Sequence, residues 1–132
     1  SLISNYKFLP RKNEYDSHLN ISSDAIIAAH NSTFLHEAYG RGFRTAFFSI
    51  RGYFNGEKSY NFGWPKETKD IGPFWSNIPE ENQFVKILDF LCDVNQEEWN
   101  SILKRYKKSI MEYDYKNTII KDVLKKEGIR IE

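Results

Sequence analysis

A five-residue apolar run, Ala25-Ile26-Ile27-Ala28-Ala29, breaks off into four polar residues, His30-Asn31-Ser32-Thr33. This junction most constrains how the chain can fold. An uninterrupted apolar run of that length fits a strand covered on both faces, with small alanines that let helices approach closely. From Ser32 or Thr33 the period becomes helical, with Phe34, Leu35, Ala38 and Tyr39 facing inward and a hydroxyl supplying the cap. His36 faces outward on this wheel. Gly40 and Gly42 stop the helix, and Thr45 to Ile50 returns to strand character before Arg51-Gly52. Ser22 to Gly52 is therefore expected to be one βαβ unit with parallel strands. Its polar elbow lies at the carboxyl end of a strand and the amino end of a helix, where anionic ligands tend to bind.

On the amino-terminal side, Leu2 to Leu9 resembles a strand ended by Pro10 and the polar run Arg11 to Glu14, and Tyr15, Leu19 and Ile21 suit a short helix. After Arg51 regularity is lost as far as Asn77. Gly52, Gly56, Gly63, Pro65, Gly72 and Pro73 alternate there with Tyr53, Phe54, Tyr60, Phe62, Trp64, Phe74 and Trp75. So aromatic a run argues against disorder, and an ordered loop lying over a site is expected.

Three helices follow. Asn77 with Glu80 forms a capping pair and Pro79 fits a first turn, ahead of an inner face of Phe84, Ile87, Leu88 and Leu91. Asn95 with Glu98 caps a helix whose inner face is Trp99, Ile102, Leu103, Tyr106 and Ile110. A last helix, Lys116 to Lys126, buries Ile119, Ile120, Val123 and Leu124 and ends at Gly128. The expected fold class is α/β, a short parallel sheet flanked by helices with a helical C-terminus. The whole of 1–132 reads as a single domain: a βαβ core over 1–52, an aromatic loop over 53–77 and helices over 78–132. The chain does not open on Met, and a fragment of a longer protein is expected.

Net charge is +1, which leaves no global electrostatic case for nucleic acid. A single cysteine, Cys92, near the buried face of its helix, excludes an internal disulfide and fits a reducing compartment. No apolar run approaches the roughly 20 residues that span a bilayer. His18, His30 and His36 are too poorly spaced for a metal site, so neither metal nor cofactor is expected. Two sequons, at Asn20 and Asn31, read as coincidence. The lysines and arginine at 104, 105, 107 and 108 read as a solvated face late in a helix. No dinucleotide fingerprint, phosphate loop, nucleophile elbow or HExxH pattern is present.

Three groups carry the candidate chemistry. The first helical turn, with Asn31, Ser32 and Thr33, can seat a phosphate, and Glu37 can accept hydrogen bonds from ribose hydroxyls. Plain capping by Ser or Thr, with Glu37 solvated, is the alternative. His30 is the candidate catalytic imidazole, against a structural histidine at a strand end. Arg51 follows a strand on the same sheet edge and can clamp a diphosphate, or pair with a neighbouring carboxylate.

The stretch SDAIIAAHNSTFLHEAYGRGFRTAFFSIRG resembles the donor-side motif of GT-B glycosyltransferases. Together with Gly63-Trp64-Pro65 and Gly72-Pro73-Phe74-Trp75 it is most similar to bacterial surface-carbohydrate (capsule and lipopolysaccharide) biosynthesis proteins. The resemblance covers roughly Ser22 to Trp75. It implies a Rossmann-like C-terminal half binding a nucleotide-sugar donor, with Ser32 and Thr33 at the phosphate, Glu37 at the ribose and Arg51 at the phosphate as well. The implied partner is an N-terminal acceptor-binding domain of the same protein, so the isolated fragment is expected to bind without turnover. The implied location is cytoplasmic, at the inner face of the bacterial membrane, with peripheral association through the full-length protein. Two further readings remain: a non-catalytic protein- or glycan-interaction domain, and a glycerophosphotransferase or epimerase relative. Epimerases carry a Gly-Gly where His30 to Thr33 stand here.

Overall fold

The computed structural model describes residues 22, 24–66, 68–112 and 114–130. The strand expected at Leu2 to Leu9, the helix at Tyr15 to Ile21 and His18 lie outside the described residues. The elements are β1 (Ile26–Ala29), α1 (Thr33–Gly40), β2 (Arg44–Phe48), α2 (Arg51–Asn55), a 3-10 turn (Lys58–Tyr60), β3 (Trp75–Ser76), α3 (Glu81–Asp93), α4 (Gln96–Tyr106) and α5 (Thr118–Lys126). The three strands form one parallel sheet in the order β1-β2-β3. The fold is α/β, a short parallel sheet flanked by helices. No helix among the described residues is long and apolar enough to cross a membrane.

The expected βαβ unit is present. Ser32 caps α1 by accepting from the Leu35 amide at 3.3 Å. Gly42, at φ +96°, ends the helix: its amide bonds to Tyr39 O and that of Phe43 reaches back to Ala38 O, a left-handed turn that glycine makes without steric cost.

Alternation along β2 divides the core. Phe47 meets His36 and Tyr39 of α1, and Phe62 and Phe74 of the second crossover, so both strand connections cover one face. Phe48, on the other face, packs on Phe84 of α3 with ring centroids 4.3 Å apart, and Arg44 donates to Leu91 O there. The α1 face is locked by α4. Trp99, fully buried, donates its indole N–H to Gly42 O, and the Tyr39 hydroxyl donates to the carbonyls of Ile102 and Leu103. Burial, with a smaller contribution from Tyr106, holds that hydroxyl well above the ordinary tyrosine range, so it stays a donor.

Several expectations are corrected. Among the described residues β1 lies at the edge of the sheet, and Ala28 is exposed rather than covered, since no described element packs over its side of the strand. The run after Arg51 is not irregular throughout. It forms α2 and the 3-10 turn, and Trp75-Ser76 pairs with Phe47 and Phe48 as the third strand. A two-residue strand leaves no periodicity to read. Phe62, Phe74 and Trp75 are core residues rather than a cover over a site, whereas Tyr53, Phe54 and Trp64 are exposed.

Asn77 does not cap α3. It is buried, and its Oδ1 accepts from the Phe62 amide at 2.9 Å, while α3 begins at Glu81 without a side-chain cap. Asn95 does cap α4, through Glu98 N at 2.8 Å. Cys92 is exposed rather than close to the buried face. The apolar residues of α5 are exposed too: Ile119, Ile120 and Val123 all project from the surface, and Leu124 is half-buried. The helix is amphipathic, but its apolar face meets no core among the described residues. Instead, the Asp114 carboxylate holds its start, accepting from Ile119 N at 2.7 Å and from the Thr118 hydroxyl at 2.9 Å.

Candidate functional site

All three strands run the same way, so the segments that follow Ala29, Phe48 and Ser76 converge on one edge of the sheet. The carboxyl edge of such a sheet is where ligands of open α/β folds bind. The candidate residues read from the sequence lie at this edge or on the first helix after it, and a second group of residues gathers beyond Arg51.

The first group surrounds the elbow. The β1–β2 register pairs Ala29 with Phe47, and Asn31 and Ser49 each lie two residues further along their own segments. The Ser49 amide bonds to Ser76 O at 2.9 Å, carrying the ladder past β2, and the residue is fully buried. Ser49 Oγ and Asn31 Oδ1 are each buried without a hydrogen-bond partner among the described residues. Leaving such a group unsatisfied costs about 1–3 kcal/mol, so each marks a position where a polar atom of a ligand or solvent would be held. Ser32 and Thr33 are exposed beside them. Ser49 was not among the residues expected at the site. A hydroxyl closing the apolar run Ala46-Phe47-Phe48 was its only signal.

The remaining candidates have defined surroundings. His30 is exposed, with Nδ1 3.1 Å from Asn31 O. His36 does not face outward: its Nδ1 lies 2.8 Å from Ser32 O and its ring meets Phe47 edge-on at 5.2 Å, which makes it part of the helix start and the core wall. Neither imidazole meets a carboxylate among the described residues. Glu37 shares two hydrogen bonds with Arg41, at 3.0 and 3.2 Å through Oε1, the pairing open to any i, i+4 couple on a helix surface. Arg51 opens α2 and lays its guanidinium over the Tyr60 ring, 4.3 Å from the centroid. It points toward the 3-10 turn, and its cation is stacked on that ring, with no ion pair among the described residues.

The second group lies beyond Arg51. A cleft of about 310 Å³ is lined by Lys58, Asn61, Trp64, Lys66 and Asp70, with Asn77 in its wall. Its frame is tied. The Thr68 hydroxyl donates to Phe62 O, Asn77 Oδ1 takes the Phe62 amide, Asp70 O takes the Asn77 amide, and the Trp75 indole donates to Lys69 O. Asn61 packs so tightly on Gly52 that any side chain there would collide with its amide oxygen. These residues carried no motif in the sequence beyond the Gly-Trp-Pro segment, because the turn that gathers them is built from long-range hydrogen bonds.

Together the two groups bring to the carboxyl side of the sheet a Ser-capped helix start, buried polar atoms without a partner among the described residues, and a polar cleft with an aromatic rim. No group of histidine, cysteine, aspartate or glutamate among the described residues is placed to hold a metal. Comparison with curated proteins and with solved structures returned no match. A protein-family model described as "putative O-antigen biosynthesis protein" matches residues 2–128, nearly the full 132, and the chain belongs to that family.

Proposed function

We propose that this chain is the donor-binding, Rossmann-like half of a GT-B glycosyltransferase of surface-polysaccharide assembly, and that the donor is a nucleotide-activated sugar. The observation that carries the reading is that Asn31 Oδ1, just before the Ser32-capped helix, and Ser49 Oγ, just after the neighbouring parallel strand, are both buried and unpartnered among the described residues. Membership of an O-antigen biosynthesis family supports the substrate area. In this reading the α1 start and the hydroxyls of Ser32 and Thr33 face the donor phosphates, Arg51 swings from Tyr60 to meet them, and the role of the protein is electrostatic stabilisation of the leaving phosphate. His30, exposed at the same edge, is the nearest imidazole for proton transfer. Glu37 reaches a ribose only after yielding its contact with Arg41. An acceptor-binding domain of the same protein completes the enzyme, which works at the inner face of the membrane.

Chemical-shift mapping with a panel of nucleoside diphosphates and nucleotide sugars tests this. Shifts clustering on Asn31 to Thr33 and Ser49 are expected, with a gain of about 2.7 kcal/mol in stability at 100 times the dissociation constant. Shifts absent from all four positions at millimolar ligand would refute it. The exposure of Tyr53 (60%), Phe54 (68%) and Trp64 (59%) favours a second reading, a non-catalytic interaction domain, in which nucleotides leave the melting temperature unchanged.

A further inference from the structure

We infer that α5 is a membrane-docking helix, lying on the surface of a bilayer that carries anionic lipids. The inference goes beyond the donor reading, because none of its residues stands at the carboxyl edge of the sheet. α5 buries no residue, and Ile119, Ile120 and Val123 are each more than half exposed, as is Ile129 just after it. Their spacing puts Ile119, Ile120 and Val123 on one side of the helix, and Tyr115 is exposed a turn ahead of Ile119. An aliphatic stripe open on one side, with charged residues on the other, is the pattern of helices that rest in the headgroup layer. α5 has nine residues, a length of about 13 Å at the helical rise, and no described helix is long and apolar enough to cross a membrane, so it lies along the bilayer.

Charge names the partner. With every residue counted, 104–132 holds nine basic and five acidic side chains, a net charge of +4, while 1–103 stands at −3. A chain that is close to neutral therefore carries its positive charge at the end where the open stripe lies. On α5 itself Lys121, Lys125 and Lys126 outnumber Asp122. Lys126 follows Ile119 by seven residues and Lys121 precedes Leu124 by three, which sets a lysine at each border of the stripe. Lysines so placed reach lipid phosphates while their stems lie along apolar surface. Glu127, four residues on from Val123, closes the stripe at its C-terminal end, so the contact runs over the first two turns. Other occupants fit less well. A nucleic acid would use the lysines and leave the open isoleucines and valine without a role. A second copy would set the lysines bordering one stripe against those of the other, and so short a helix offers little of the about 1,000 Å² that a specific interface clears.

The test is co-sedimentation of the full chain with vesicles of phosphatidylcholine, alone or mixed equally with phosphatidylglycerol, at about 0.1 M and about 1 M salt. Mixed vesicles are expected to carry the chain down at the lower salt. Binding at the higher salt, or to phosphatidylcholine alone, should be about tenfold weaker. Ile119→Ser with Val123→Ser should weaken binding to mixed vesicles about tenfold, with a melting temperature within about 5 °C of the unsubstituted chain. Lys121→Gln with Lys126→Gln should also weaken it about tenfold.

Mixed vesicles that leave the chain in solution overturn the proposal, and so does equal binding to phosphatidylcholine alone. Binding that survives the two serines overturns it too, as adsorption through lysines without the stripe. A larger fall in melting temperature with the serines would show the stripe covered by the chain itself. A dimer in sedimentation equilibrium that the serines dissolve would give the face to a second copy, and either result removes the membrane reading. The donor site is scored apart, by nucleotide shifts at Asn31 and Ser49 in the absence of vesicles.

Discussion

Ser49→Ala separates a residue kept for binding from one kept for folding. Ser49 is fully buried, its amide is committed to Ser76 O, and its hydroxyl has no partner. Burying an unsatisfied hydroxyl costs about 1–3 kcal/mol, and alanine removes the hydroxyl while leaving only a small void. The net expectation is a gain of about 1 kcal/mol, which raises the melting temperature by about 4 °C for a domain of this size. Urea denaturation with unchanged m-value is the assay, because it separates native stabilisation from a change in the unfolded chain. If the hydroxyl also contacts the donor, the same variant weakens nucleotide-sugar binding about tenfold, one hydrogen bond's worth. Thr45→Val is the control. Its Oγ1 is likewise buried and unpartnered, but it sits mid-strand, so binding is expected to be untouched. A loss of more than about 1 kcal/mol in Ser49→Ala would refute the reasoning, since the hydroxyl would then be satisfied in the unliganded protein.

Phe74→Ala, at the centre of ring contacts with Tyr39, Phe47, Phe62, Trp75, Trp99 and Tyr106, should cost about 3–5 kcal/mol in the same urea experiment. Ile119→Ser with Val123→Ser should change stability by no more than about 0.5 kcal/mol each in a thermal scan, because both side chains are already more than half exposed. The Asp114 carboxyl is held below its ordinary value of 3.8, first by the Ile119 amide. A depressed carboxyl stabilises the folded form above its unfolded value, so α5 should stay intact there and fray as the pH falls through the lower folded value. Amide exchange or Cα shifts of Thr118 to Lys121 read this directly, and Asp114→Asn should abolish the pH dependence.

Much of the fold between Ala25 and Ile50 was legible because it is encoded locally. The step from Ala29 to Ser32 carries the change of period, the cap and the glycine stop in consecutive residues, and the structure places β1, α1 and β2 within a residue or two of the expected bounds. The Asn95–Glu98 cap is of the same kind. Elements that depend on distant partners were not legible. Trp75-Ser76 is a strand only because β2 lies beside it, and Asn77 resembles a cap in sequence but is claimed by the Phe62 amide fifteen residues earlier. The apolar stripe of α5 has the right spacing for burial, and spacing cannot say whether a core is there to receive it.

The candidate site divides along the same line. Residues 30 to 33 announce themselves as a strand-to-helix elbow, because a hydroxyl that can cap a helix start stands where the apolar run ends and the helical period begins. The sequence alone thus determined that this chain has a polar turn at a parallel strand's end, and its likeness to surface-carbohydrate biosynthesis proteins. Only the tertiary structure decided that the side-chain oxygens of Asn31 and Ser49 are buried without partners among the described residues, that Glu37 is engaged by Arg41, that Arg51 turns to Tyr60, and that Lys58, Asn61, Trp64 and Asp70 share one cleft. The physical reason is that capping and periodicity are properties of neighbouring residues. Desolvation and charge balance depend on everything packed around a group, and the chain order does not list those neighbours.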